Sequence, residues 1–427
     1  MTFDEELTTR KGTHMRNNLF HGRGARRTTF FAGAAAIALA LTACAGGTTP
    51  SSDGGEGDAT PYKVGVLVGL TGSYSALGDP EQKAIELYFD TVNANGGLNG
   101  HPVELVVLDS GSDEGTAVNQ FRKLAIEENV HAVLGPSSSG ESSALRTFSR
   151  DLAVPTITLA SSSTIVEPAE EATYIFKQYT GTKESLVAQL QFAEDSGWKK
   201  VGLLYANNGY GQDPANRIAD VAKDFDVTIT GSEAFDDTST DVTAQLAKLG
   251  EGDPDAVLVW ATNPANAVVA KSAESIGFEP VLFNSPGAGS AAYIENAGSA
   301  AEGTYLQGSV VLAPSSLEES NPQYETTNRL VDEFDAEYSE LAGQYAGNGW
   351  DGSILLENAI LKAADHDLSD VQATRDAIRD SLESNTKDVI GANAIYTFTP
   401  EFHGSTSLGG LAVLKVTDGA FEVVKTY

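Results

Sequence analysis

Three loops rich in hydroxyls and glycine carry side chains suited to holding a small anion. They are Gly69 to Gly78, which includes Tyr74; Gly135-Pro136-Ser137-Ser138-Ser139-Gly140; and Ala160-Ser161-Ser162-Ser163-Thr164. Each follows an apolar, strand-like run. Hydroxyls and backbone amides at helix starts suit a carboxylate, because both donate hydrogen bonds and the helix dipole favours an anion. Ser and Thr also cap helices, so any single one has a purely structural explanation. Three such loops together favour a ligand site, with Tyr74 and Ser138 among the side chains they offer.

The second half of the chain offers three more. Asn207-Asn208-Gly209-Tyr210-Gly211 presents Tyr210 as a flat wall with a hydroxyl, and Trp260-Ala261-Thr262-Asn263-Pro264 presents Thr262 and Asn263, with Trp260 assigned to packing. The last is Asn284-Ser285-Pro286-Gly287-Ala288-Gly289. Catalysis is disfavoured, since the serine clusters lack the Gly-x-Ser-x-Gly spacing and, beyond Cys44, only His101, His131, His366 and His403 are available as imidazole bases. His101 and His403 sit among turn residues and are expected at the surface. No His/Cys cluster has metal-ligand spacing and no P-loop is present, so no cofactor is expected.

The elements that hold these loops alternate regularly. Lys63 to Val68 reads as a buried strand, Pro80 to Asn95 as a helix, Val103 to Leu108 as a strand, Ala117 to Glu128 as a helix and Val130 to Leu134 as a strand. The pattern restarts after Trp198, with strands at Lys200 to Tyr205, Val227 to Phe235, Ala256 to Trp260 and Pro280 to Asn284. Helices at Asp213 to Asp224, Val242 to Gly250 and Ala265 to Ile276 separate them. Short strands alternating with helices imply parallel sheets covered on both faces. The 384 residues from Cys44 onward exceed one core, so an α/β fold of two doubly wound lobes is expected. Ligands of such sheets bind beyond the carboxyl ends of the strands, which places the site in the cleft between the lobes.

Several segments resemble the signatures of the branched-chain amino-acid-binding family of periplasmic-type solute receptors. They are Leu70 to Gly78, Asn93 to Gly100, Leu134 to Ser139, Val154 to Ile157, Tyr205 to Gly211 and Gly349-Trp350-Asp351-Gly352. The resemblance runs from about Tyr62 to the C-terminus and rests on the order and spacing of pieces that are weak singly. It implies a type I periplasmic-binding fold, two lobes joined by three crossovers and closing on a small ligand. It also implies that Ser139, Ser161 and Ser162 bind the ligand carboxylate, that Tyr210 contacts it from the second lobe, and that Thr262 and Asn263 add cleft contacts. One departure stands out: the family's amino-acid binders place a Glu near Pro286 to neutralise the ligand ammonium. A buried, unpaired ammonium is costly, so a carboxylate or amide without an amine stays open beside an amino acid.

The N-terminus reads as an export signal. Arg23, Arg26 and Arg27 precede the 12 apolar residues from Phe30 to Leu41, and Leu41-Thr42-Ala43-Cys44 matches a lipobox with Cys44, the sole cysteine, as the acylated residue. A membrane-spanning helix needs about 20 apolar residues. Both general and twin-arginine secretion stay open, because Phe30 stands one place late for the latter pattern. Met15 opens a more regular signal than Met1. Residues 44–61 are polar and small, the composition of a flexible tether. Cleavage before Cys44 leaves 21 basic against 56 acidic residues, a net charge of −35. That argues against a nucleic-acid partner and against adsorption to anionic lipid, leaving the acyl chain to supply membrane attachment.

These readings converge on an extracytoplasmic, lipid-anchored, monomeric substrate-binding protein that delivers a small ligand to ABC permease subunits. The expected organisation is a signal over 1–43, one lobe from 62–178 with about 308–404, and the other from 179–307 with about 405–427. The alternative is a lipoprotein that senses the ligand and signals through a membrane partner. A fold alone does not separate these two.

Overall fold

The computed structural model of the protein describes residues 59–427. The expected export signal, Cys44 and the tether as far as Asp58 lie outside the described residues.

The first half runs β1 (Tyr62–Val68), α1 (Ser75–Ala94), β2 (Val103–Asp109), α2 (Glu114–Ile126), β3 (Ala132–Leu134), α3 (Ser139–Asp151), β4 (Thr156–Thr158) and β5 (Ile175–Lys177). Its strands pair in parallel in the order β2-β1-β3-β4-β5. With helices on both faces, β1 is buried along nearly its whole length, as its apolar run requires. A Cβ on Gly65 would stand 2.8 Å from Leu124, so the small residue lets α2 lie directly on the strand.

The second lobe continues with α4 (Thr182–Asp195), β6 (Lys200–Ala206), α5 (Gly209–Val221), β7 (Thr228–Phe235), α6 (Thr243–Gly250), β8 (Ala256–Trp260), α7 (Ala265–Ile276), β9 (Val281–Asn284), α8 (Ala291–Ala297) and β10 (Tyr305–Ser309). Its parallel strands take the order β7-β6-β8-β9-β10, the same pattern as the first sheet. The chain then returns through α9 (Tyr324–Tyr338), α10 (Gln344–Lys362), α11 (Val371–Asn385) and the short pair β11 (Val389–Ile390) and β12 (Ile395–Tyr396). Phe334, Trp350 and Leu382 from these helices share a core with Val64 and Val66 of β1.

A last hairpin, β13 (Leu411–Thr417) and β14 (Ala420–Thr426), joins the second sheet antiparallel to β10. The sheet is therefore mixed rather than wholly parallel. Asp418 and Gly419 both have positive φ, 50° and 74°, as a two-residue hairpin turn that follows strand twist demands.

Three crossovers connect the lobes, at 178–181, 309–310 and 404–410. The first and third run side by side, with Gly181 N donating to Ser405 O at 2.9 Å. Beside them Lys177 is fully buried, its Nζ donating to the carbonyls of Ser161, Tyr179 and Thr180 at 2.9–3.0 Å. Burial pulls its pKa down to about 7.

Two expectations change. His403 is buried rather than at the surface: its ring stacks on Phe176 at 4.2 Å, Nδ1 meets the Ala172 carbonyl and Nε2 lies 3.0 Å from Glu383. Turn residues around it mark the chain's bend toward the third crossover, which is an interior feature here. In addition, α5 begins at Gly209 instead of Asp213, because the Asn208 side chain accepts from Tyr210 N and Gly211 N and so caps the helix early. Tyr210 thereby enters the first helical turn.

Candidate functional site

In both sheets the connections diverge at one strand pair, β1 beside β3 and β6 beside β8, and such a point opens a crevice past the carboxyl ends. The four loops leaving these strands, together with those after β4 and β9, meet across the lobe boundary around a partly open cavity of about 290 Å³. Tyr74, Ser138 and Ser139 line it from the first lobe with Ser161 from the loop after β4; Tyr210, Thr262 and Pro286 line it from the second. Gly135 makes the β3 loop possible, since its φ is +110° and a Cβ there would stand 1.9 Å from Leu67 O. The lobes touch at Gly209 and Gly140, where a Cβ on Gly209 would lie 3.5 Å from Gly140 N.

The serines divide by what their hydroxyls already do. Ser137 Oγ donates to Glu81 Oε2 at 2.5 Å, and Ser138 Oγ donates to Glu141 Oε2 at 2.6 Å within a capping box at the start of α3. Burial raises the pKa of both Glu81 and Glu141. Ser139 Oγ instead accepts from Ser162 N at 3.3 Å, and Ser161 is tied down through its carbonyl. No hydrogen bond among the described residues uses the hydroxyl proton of Ser139 or Ser161. Both hydroxyls are free to donate to a ligand oxygen.

On the opposite wall, Tyr210 Oη donates to Ser285 Oγ at 2.9 Å and accepts from Gly287 N at 3.1 Å, while Tyr345 Oη donates to Gly287 O at 2.8 Å. Two tyrosines thus clamp the loop around Pro286, and Tyr210 offers the ligand its ring rather than a free hydroxyl. Trp260 supports that ring from behind at 5.4 Å.

Ser162 and Asn263 are not brought to the cavity wall. Ser162 Oγ lies 2.9 Å from Asp213 Oδ2, the same oxygen that accepts from Ser163 N at 2.7 Å and Thr182 Oγ1 at 2.6 Å. Asp213 also pairs with Arg217, which pairs in turn with Glu167. Because Ser162, Ser163 and Glu167 precede the first crossover while Asp213 and Arg217 follow it, these bonds form a latch between lobes. Burial pushes the Asp213 carboxyl up, but Arg217 and Thr182 outweigh it and hold the group below its ordinary value. Asn263, for its part, faces Asn296 at 3.4 Å.

Sequence reasoning missed Glu114, Tyr179, Tyr345 and Asn348, all in the wall. Glu114, in the first turn of α2, is the only charged side chain there among the described residues. Its carboxylate reaches Gly140, where a Cβ would meet Oε1 at 2.6 Å. Tyr345 and Asn348 arrive on α10, whose small residues were the available signal: a Cβ on Gly349 would stand 2.3 Å from Glu81 O.

Two doubly wound lobes, three crossovers and a cleft cavity between them define a two-lobed ligand-binding protein. The profile of the family described as periplasmic binding protein matches residues 61–420, and the chain belongs to that family. The family is one of extracytoplasmic substrate-binding proteins. Among curated relatives, Leu/Ile/Val-binding protein homolog 7 of Brucella suis biovar 1 (strain 1330) is 24% identical over 261 residues, covering 59% of this chain and 63% of the relative. The match thus spans less than two thirds of that relative's length. An extracellular ligand-binding receptor from Rhodopseudomonas palustris HaA2 superposes with a TM-score of 0.78 at 26% identity, over 86% of this chain and all of that one. The branched-chain amino acid transporter substrate binding protein LivJ from Streptococcus pneumoniae, solved with isoleucine, shares the fold with a TM-score of 0.69 at 23% identity, over 86% and 100% of the two chains.

Proposed function

We propose that this chain is an extracytoplasmic substrate-binding lipoprotein of an ABC importer, which captures a small amino acid, amide or carboxylate by lobe closure and hands it to permease subunits. The observation that carries this reading is a cavity walled from both lobes, with Ser139 and Ser161, whose hydroxyl protons are unused, in one wall and Tyr210 in the other. A ligand touching both walls stabilises the closed arrangement, and the permease reads that arrangement. In this reading residues 1–43 direct export, Cys44 carries the lipid on the outer face of the membrane, and residues 44–61 tether a monomer whose lobes exchange chain near 178, 308 and 405.

The relatives' names and the isoleucine complex support an amino acid. Pro286, where the resembling amino-acid binders place a Glu, supports a ligand without an amine. Glu114 gives an amino group an acid within the cavity.

A thermal-shift series on the mature chain against amino acids, amides, urea, and aromatic and aliphatic carboxylates decides among these, because a ligand that binds only the folded state raises Tm. A shift with one class is expected; no shift with any removes the capture reading. Radiolabelled palmitate should mark the full chain and be lost in Cys44→Ser. Deleting the gene should abolish uptake of the ligand; intact uptake with a lost response to the ligand would favour the sensing lipoprotein.

A further inference from the structure

Four polar side chains at the junction between the lobes are at most 1% exposed and yet incompletely bonded: Gln178 and Thr180 on the first crossover, Gln307 in the middle of β10, and Gln344 at the start of α10. Gln178 Nε2, Thr180 Oγ1, both polar atoms of the Gln307 amide, and Gln344 Oε1 have no hydrogen-bond partner among the described residues. Buried polar groups are nearly always satisfied, so five such atoms in one place call for an explanation.

All four residues line one small cavity, which Leu411 at the exit of the third crossover also borders. It leaves about 10 Å³ for the centre of a water molecule. One water needs roughly 10–15 Å³ measured that way, and it needs two to four polar partners.

We infer that a single buried water sits at this junction and joins the crossovers by hydrogen bonds. The chemistry of the wall selects it: amide donors come from Gln178 and Gln307, and acceptors come from Gln307, Gln344 and Thr180. A cation would leave the donors unmet, and an anion would leave the acceptors unmet. Water meets both kinds, accepting from two and donating to two. In the lobe-closure reading proposed above the crossovers are the segments about which the lobes turn, so this water is part of the hinge rather than of the ligand cavity.

A crystal structure of the mature chain at about 1.5 Å resolution tests this directly. The expected result is one ordered water within about 3.2 Å of at least three of the five atoms. A dry cavity with the amides paired to one another overturns the inference, as does density with the short, numerous contacts of a metal ion. In Gln307→Leu, which keeps the bulk but removes two of the five polar atoms, the water keeps at most three partners, so Tm should fall while the residues of the ligand cavity stay in place. An unchanged Tm in that variant also overturns the inference.

Discussion

Two patches of the same lobe boundary use serine to opposite ends. At the cavity, Ser139 and Ser161 keep their hydroxyl protons unspent beneath a tyrosine wall. At the latch, Ser162, Ser163 and Thr182 spend theirs, or their amide protons, on a single oxygen of Asp213. Ser161 and Ser162 are adjacent in sequence and carry the same functional group. What separates them is whether a protein acceptor from the other lobe lies within reach. A hydroxyl next to a buried carboxylate of the other lobe ties the two lobes together; one without such a partner is available to a ligand.

The contrast can be broken most forcefully at Asp213. Removing one partner of a buried, bonded charge pair leaves the rest uncompensated, so Asp213→Ala should lower unfolding free energy by about 3 kcal/mol in urea titrations and weaken ligand binding by disfavouring closure. Wild-type stability in that variant would dissolve the latch. Next in size, Ser139→Ala and Ser161→Ala should each raise ligand Kd by about tenfold, the worth of a hydrogen bond to a charged group, with unliganded Tm unchanged in Ser161→Ala and lowered in Ser139→Ala, which also strips Ser162 N of its acceptor. Ser162→Ala should do the reverse, costing about 1 kcal/mol of stability while leaving ligand contacts intact. Equal effects of Ser161→Ala and Ser162→Ala on both quantities would erase the distinction.

Acid sharpens it further. The Asp213 carboxyl is held below its ordinary value of 3.8, so the unfolded chain binds more protons than the folded one as pH falls through that value. The latch's contribution is present above pH 3.8 and is lost below it, and the acid limb of a Tm-versus-pH curve should be shallower in Asp213→Asn. The smallest effect is expected at the cavity rim. Glu114→Gln should weaken an amino-bearing ligand by a few-fold, as suits a partly exposed ion pair, and leave a plain carboxylate's Kd unchanged or improved.

Much of this architecture was legible beforehand, and for a definable reason. Buried strands such as Ala256–Trp260 and helices such as Ala265–Ile276 are set by local apolar patterning, and they appear at the residues expected. The family motifs likewise pointed to the loops that do line the cavity. The fine assignment within those loops was not legible, because it depends on partners distant in sequence: Asp213 for Ser162, Asn296 for Asn263, Glu383 for His403. The motif Gly349 to Gly352 lies on α10, but nothing local marks Tyr345 and Asn348 just before it as wall residues, because α10 rejoins the first lobe only after the second has been built.

The three crossovers have a consequence for how the protein withstands damage. A protease that nicks one of them severs the chain but leaves two covalent links, so each lobe still meets the other at the high local concentration that tethering provides. Loss of continuity at one crossover is therefore separable from loss of closure.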